Sequence, residues 1–163
     1  MSKVLIVYPN QLFFDHPGLG EGVKSAVLIE DSLCFGDAQY PLNFHKQKIW
    51  LHKAAMARYR LYLETKGLPT QTVPYKTDNS SIGCVLNEQR GRGVREIIVA
   101  DLVDFAAEKR LRKAIEESGL KLTVLSTPGF LNTRKDNVWG KIAELLQYKY
   151  PENFKCRLLK FSR

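Results

Sequence analysis

The stretch Lys3-Val4-Leu5-Ile6-Val7-Tyr8 (KVLIVY) decides the fold. It is an unbroken, largely β-branched apolar run closed by Pro9-Asn10, the pattern of a strand buried on both faces rather than on one. Working outward, Ser25 to Glu30 (SAVLIE) and Arg95 to Ala100 (REIIVA) repeat it. Gln71 to Tyr75 and Leu120 to Leu125 supply two shorter runs. Between the strands lie loops rich in turn formers, Asp15 to Gly22 and Asp31 to Asn43, and segments of helical period.

The longest helical segment runs from Phe44 to Lys66. His45, Ile49, His52, Met56, Tyr59 and Leu63 recur at intervals of three and four and are expected inward, with Leu51, Ala55 and Tyr62 widening the stripe. Lys46, Lys53 and Arg60 are expected on the solvent side, and Gly67 and Pro69 stop the helix. Ser80 or Ser81 caps a second helix that reaches Arg90 and ends at Gly91 and Gly93. A third, Asp104 to Ser118, turns Phe105, Leu111, Ala114 and Ile115 inward and closes on Gly119. A last helix is expected from about Asn137 to Gln147. Alternating apolar strands and helices predict a doubly wound, Rossmann-like α/β fold. It is a five-stranded parallel sheet with helices on both faces, in strand order 3-2-1-4-5.

Composition agrees with a globular domain: of 163 residues, 44% are hydrophobic, 10% aromatic and 26% charged, with 11 Gly and 7 Pro. No apolar run approaches the ~20 residues that span a bilayer, and Val4 to Val7 is too short for a signal-peptide core, which predicts a cytoplasmic protein. The net charge of +8 is uneven, because Arg134 to Arg163 holds eight basic and three acidic residues. Such a tail reads as a solvated face or as a patch for DNA or an acidic partner. Cys34, Cys84 and Cys156 are too few and too far apart for a disulfide framework or a zinc ribbon. His16, His45 and His52 come with no carboxylate cluster, so no metal site is expected.

A doubly wound sheet binds ligands beyond the carboxyl ends of its strands, where the strand order reverses. That rule brings Pro9-Asn10-Gln11-Leu12 beside Asp101-Leu102, with Glu30-Asp31 adjacent and His45, Gln47 and Lys48 at the next helix start. Neither Gly-x-Gly-x-x-Gly nor a P-loop occurs, which disfavours dinucleotides and P-loop nucleotides. The absence of a Gly-x-Ser-x-Gly elbow leaves that class of hydrolase unsupported. Amides, acids and bases gathered at one edge suit a neutral polyhydroxylated ligand. Each residue also has a plainer reading. Asn10-Gln11 turn the chain, Glu30 ends a strand in solvent with Lys48 as surface partner, and His45 satisfies backbone groups at a helix start.

The stretch Asn43 to Ala57, carrying His45-Lys46-Gln47-Lys48, resembles the His-Lys-Gln-Lys helix of photolyase-related proteins, the iron–sulfur bacterial cryptochrome and photolyase group. Three further matches occur in order. Asn10-Gln11-Leu12 is similar to that family's Gly-Asp-Gln-Leu, Val27-Leu28-Ile29-Glu30 to its second strand, and Phe130-Leu131-Asn132-Thr133 to its Phe-Leu-x-Ser/Thr. The resemblance covers Val4 to Thr133. It implies that residues 1–133 are an antenna domain, harvesting light for DNA repair or photoreception. In the family, such a domain holds 6,7-dimethyl-8-ribityllumazine. Residues carried over as pigment-binding are Asn10, Gln11, Leu12, Glu30, His45, Lys48 and Asp101.

FAD, the iron–sulfur cluster and the DNA lesion site belong in the family to a following helical domain. Neither FAD nor the cluster is expected in this chain, nor are catalytic residues. Residues 134–163 read as a basic helix and tail leading toward that helical FAD-binding partner. Pro9-Asn10 replaces the family's Gly-Asp, exchanging a flexible glycine and a charge for a rigid ring and a neutral amide. The segment after Thr133 departs from the family's aromatic and Arg pattern. Two other functions fit the sequence: a nucleotide-binding enzyme-like domain using the same edge, and an interaction module that docks a separate photolyase-like chain or DNA through the basic tail.

Overall fold

A computed structural model describes residues 2–76 and 81–130, without the side chain of Ser81. Internal contacts group Met1–Pro128 as one unit and Gly129–Arg163 as a second, most of which lies outside the described residues. The expected helix at 137–147, the basic tail and the Leu131-Asn132-Thr133 match also fall outside them.

Five strands form one parallel sheet: β1 (Lys3–Val7), β2 (Ser25–Ile29), β3 (Thr70–Val73), β4 (Glu96–Ala100) and β5 (Lys121–Leu125). Their order is β3-β2-β1-β4-β5, as the apolar runs predict. β1, β2 and β4 are buried almost throughout, while the edge strands β3 and β5 are only partly covered. Burial on both faces explains why the three inner strands read as continuous apolar runs.

Helices α3 (Ser81–Gly91) and α4 (Phe105–Ser118) cover one face. There Val85, Leu86, Leu111 and Ile115 close on Ile6, Ile97 and Val99. Helix α2 (Lys46–Thr65) covers the other through Met56, Tyr59 and Leu63, against Leu5, Leu28 and Ile98. Two further short helical turns, Pro17–Gly20 and α1 (Ser32–Phe35), lie within segments that read as plain loop. A Cβ on Gly18 would stand 2.5 Å from Leu5 Cδ1, so any larger residue at that point of the Pro17–Gly20 turn would have to displace that buried leucine side chain on β1.

Helix α4 has clear ends. Asp104 Oδ1 accepts from the Ala106 and Ala107 amides at 2.8 and 3.1 Å, and Gly119 ends the helix at φ 67°. Gly93 likewise takes a positive φ of 82° after α3.

Three expected inward residues face solvent. Phe105 is 77% exposed, because it stands six residues before Leu111 and two before Ala107, off the three-and-four spacing of the buried stripe. Leu51 is 69% exposed for the same reason, five residues ahead of Met56. His45 is exposed because it is the N-cap of α2, outside the first turn. Met56, Tyr59, Leu63, Leu111, Ala114 and Ile115 are buried as expected.

Candidate functional site

The reversal of strand order falls at β1, between β2 and β4. Beyond the carboxyl ends of β1 and β4 the chains part, and the last carbonyls of β4 need partners. Gln11 supplies one. Its Nε2 donates to Ala100 O at 2.9 Å and to Asp101 O at 3.2 Å, and its Oε1 accepts from Tyr8 N at 3.4 Å. Only 2% exposed, Gln11 bridges the switch point from within. Asn10 is exposed in the same turn, which the Gln11 amide closes onto Tyr8 O at 2.9 Å. Leu12 is half-buried against the α2-face core.

Glu30 has a parallel role between β2 and β3. It is buried, not solvated, and its carboxylate accepts from Tyr75 N at 3.0 Å and from Lys53 Nζ at 3.0 and 3.2 Å. Its cationic partner is therefore Lys53, not Lys48. Geometry explains the exchange: Lys53 lies two turns into α2, where the helix passes over the end of β2.

His45 caps α2, its Nδ1 accepting from Gln47 N at 3.3 Å. Lys48 is exposed one turn on, with Nζ 4.2 Å from the centre of the Phe44 ring. The Lys48 charge also reaches Cys34 and His52. Burial pushes the Cys34 thiol up to about 11, reinforced by Asp31 and opposed by Lys48. His52 is lowered by burial and then by Lys48. Asp101 donates its amide to Leu125 O at 2.7 Å and lines a shallow hollow with Leu102, Leu111, Leu122 and Val124. The 10 Å³ inside that hollow has room for about one water.

Asp31 caps α1, its Oδ1 accepting from Leu33 N at 2.9 Å, and burial raises its carboxyl above the usual range. Just beyond lies a cluster the sequence left unmarked. Asp37, 5% exposed, accepts from the Gln39 and Tyr40 amides at 2.8 and 2.9 Å and from Ser32 Oγ at 2.6 Å. Arg110 of α4 grips both of its carboxylate oxygens and also reaches Ser32 Oγ at 3.1 Å. The Arg110 hydrogen bonds hold the Asp37 carboxyl far below the usual carboxylate range, and Asp37 raises Arg110 in return. The Tyr40 ring covers the guanidinium, 5.6 Å from its centre. Since 73 residues separate Asp37 from Arg110, no local pattern could pair them.

The predicted residues thus divide. Gln11 and Glu30 staple strand ends, and His45 caps a helix. Asn10 and Lys48 face solvent at the carboxyl edge, and Leu12 and Asp101 lie half-buried there. No group of three or more His, Cys, Asp or Glu among the described residues could hold a metal ion. No described helix is long and apolar enough to cross a membrane.

A wound parallel sheet with its polar side chains collected at one carboxyl edge belongs to the α/β domains that meet ligands beyond their strand ends. Sequence comparison narrows the class. The family model of deoxyribodipyrimidine photo-lyase-related proteins matches residues 5–144, and the chain belongs to that family. It is also 28% identical, over 138 residues, to a protein of Acanthamoeba polyphaga mimivirus whose name says only that it is uncharacterized. That match spans 83% of this chain and 69% of the viral protein.

Proposed function

We propose that this domain is a pigment-binding antenna unit, not a catalyst in itself, and that its carboxyl edge receives 6,7-dimethyl-8-ribityllumazine. What supports this reading is topology, which opens three chain segments at the carboxyl end of the sheet. Asn10 comes from the turn after β1, Asp31 and Cys34 from the start of α1, and Lys48 from the first turn of α2. Lys48 and Asp31 each act on the Cys34 thiol, in opposite directions, in keeping with the start of α1 lying near the first turn of α2. Family membership supports the light-harvesting context.

The donor set suits such a guest. The Asn10 amide offers a donor and an acceptor for ribityl hydroxyls, and Lys48 offers a cation for an electron-rich carbonyl of the ring. Bound there, the pigment would absorb light and pass the energy by dipole coupling to a flavin held elsewhere, in a helical domain or partner chain. The protein's share is placement. Gln11, Glu30 and the Asp37–Arg110 pair lock the three segments to the sheet, so that groups on them keep fixed positions.

The test is a titration of the whole purified chain with the lumazine, read by absorbance and fluorescence anisotropy. Saturable binding is expected, weakened about tenfold or more in Lys48→Ala, the scale of a lost charge-assisted contact. Unchanged spectra at high micromolar pigment would overturn the reading. A melting shift with AMP or ATP but not with the lumazine would replace it with the nucleotide reading.

A further inference from the structure

Helix α2 is apolar on two opposite sides. Met56, Tyr59 and Leu63 face the sheet, while Trp50, Leu51 and Leu61 are 75%, 69% and 56% exposed. With exposed Ala54 and Ala57 they follow helical spacing into one stripe about three turns long, directly opposite the buried one. Lys46, Arg60 and Lys53, whose ammonium is already held by Glu30 at 3.0 Å, border the stripe on one side, and Lys48 and Arg58 on the other. Glu64, already paired with Arg60 at 3.7 Å, is the single acid beside it. A helix needing only to cover the sheet would turn charged groups outward, as α4 does with Glu108, Arg112, Lys113 and Glu117.

We propose that the outward stripe of α2 is a docking surface for an amphipathic helix of a partner protein, one whose apolar face is rimmed by Asp and Glu. Two features select this occupant. The small side chains of Ala54 and Ala57 leave a gap between Trp50 and Leu61 where a bulky residue of a crossing helix can insert, ridge into groove. The rim is basic on both sides, so an acidic rim completes it. A second copy of this chain would set two basic rims against each other. A lipid surface rewards protruding side chains rather than a gap, and single-stranded nucleic acid would find Trp50 as the only stacking ring on the stripe.

The probe is a fluorescein-labelled synthetic helix with Leu along one face and Glu on both rims, added to the full chain and followed by anisotropy. Its twin, with Lys for every Glu, is the control. Saturable binding of the Leu/Glu helix is expected, at least about tenfold tighter than the twin. Trp50→Ser and the double variant Lys46→Glu, Arg58→Glu should each weaken it about tenfold or more, with unchanged thermal midpoints because all three sites are exposed. Phe105→Ser, which removes an exposed ring elsewhere, should leave binding intact.

Equal binding of both helices, no saturable binding, or full binding by Trp50→Ser would overturn the proposal. So would a wild-type dimer that Trp50→Ser dissolves, or Trp50-dependent binding that is tighter to phosphatidylserine vesicles or oligo-dT than to the Leu/Glu helix. None of these outcomes depends on pigment binding, which leaves the two proposals separable.

Discussion

The two faces of the sheet are covered by different means. On the α3–α4 side, aliphatic residues of two helices interlock with β1 and β4, and the Asp37–Arg110 pair lies outside that apolar cluster. On the α2 side one long helix meets the sheet, and α1, the Pro17–Gly20 turn and loops fill the remainder. There the polar groups are built in. Tyr59 and Tyr62 donate their hydroxyls to the carbonyls of Phe13 at 2.8 Å and Phe14 at 2.6 Å, and His16 lies buried beside the Phe13 ring. Close-packed helices give stability without direction, whereas hydrogen bonds fix where a loop sits. The first face holds the domain together. The second holds in place the loops that reach the carboxyl edge.

The sharpest way to break the contrast is a cavity on the aliphatic face. Leu111 is 1% exposed, and Leu111→Ala is expected to cost about 2–5 kcal/mol, read as a fall in the urea midpoint. A loss below about 1 kcal/mol would mean that this face collapses around the gap and is not close-packed.

The loop face should instead reveal itself through pH. His16 Nδ1 accepts from Gly18 N at 3.1 Å, its buried Nε2 has no hydrogen-bond partner among the described residues, and burial lowers its pKa to about 4. The folded state therefore keeps the ring neutral while the unfolded chain takes up a proton below the ordinary 6.5. Its contribution is complete above pH 6.5 and drains away as pH falls to about 4, at most about 3 kcal/mol and less where water screens the ring. His16→Asn keeps an acceptor for Gly18 N and removes the titration, so its stability should fall less between pH 7 and 4.5 than that of the wild type. Burial raises Asp31, which acts with the opposite sign, but it is common to both proteins and cancels in the difference. Parallel pH profiles would show that His16 is not held neutral by the fold.

The smallest effect separates the two tyrosines. Tyr59 is 7% exposed, so Tyr59→Phe leaves the Phe13 carbonyl without that donor and should cost about 1 kcal/mol. The Tyr62 hydroxyl is bonded at an exposed site where water can replace it, and Tyr62→Phe should cost less than about half as much. Equal losses would mean that the two loop anchors are equally dry.

Much of this architecture was legible in the chain. Continuous apolar runs such as KVLIVY require burial on both faces, which forces a parallel sheet between helices, and the handedness of crossovers then leaves few strand orders. The helix ends at Asp104 and Gly119 were also readable, because a cap is a contact between near neighbours. At the site, Asn10, Gln11, Glu30, His45, Lys48 and Asp101 were placed at the carboxyl edge by topology alone, since each follows a strand or opens a helix there.

Tertiary structure decided what those residues touch. Gln11 proved to be a strand staple because the Ala100 and Asp101 carbonyls it meets, at and just past the end of β4, lie 89 and 90 residues away. Glu30 took Lys53 rather than Lys48, and Asp37 found Arg110. Phe105 and Leu51 turned outward because a period identifies a helix before it identifies which side has a neighbour. Local sequence dictates the conformation of a segment through forces acting over a few residues. The partner of a buried polar group is set by how whole elements cross, and that arrangement exists only once the sheet has closed.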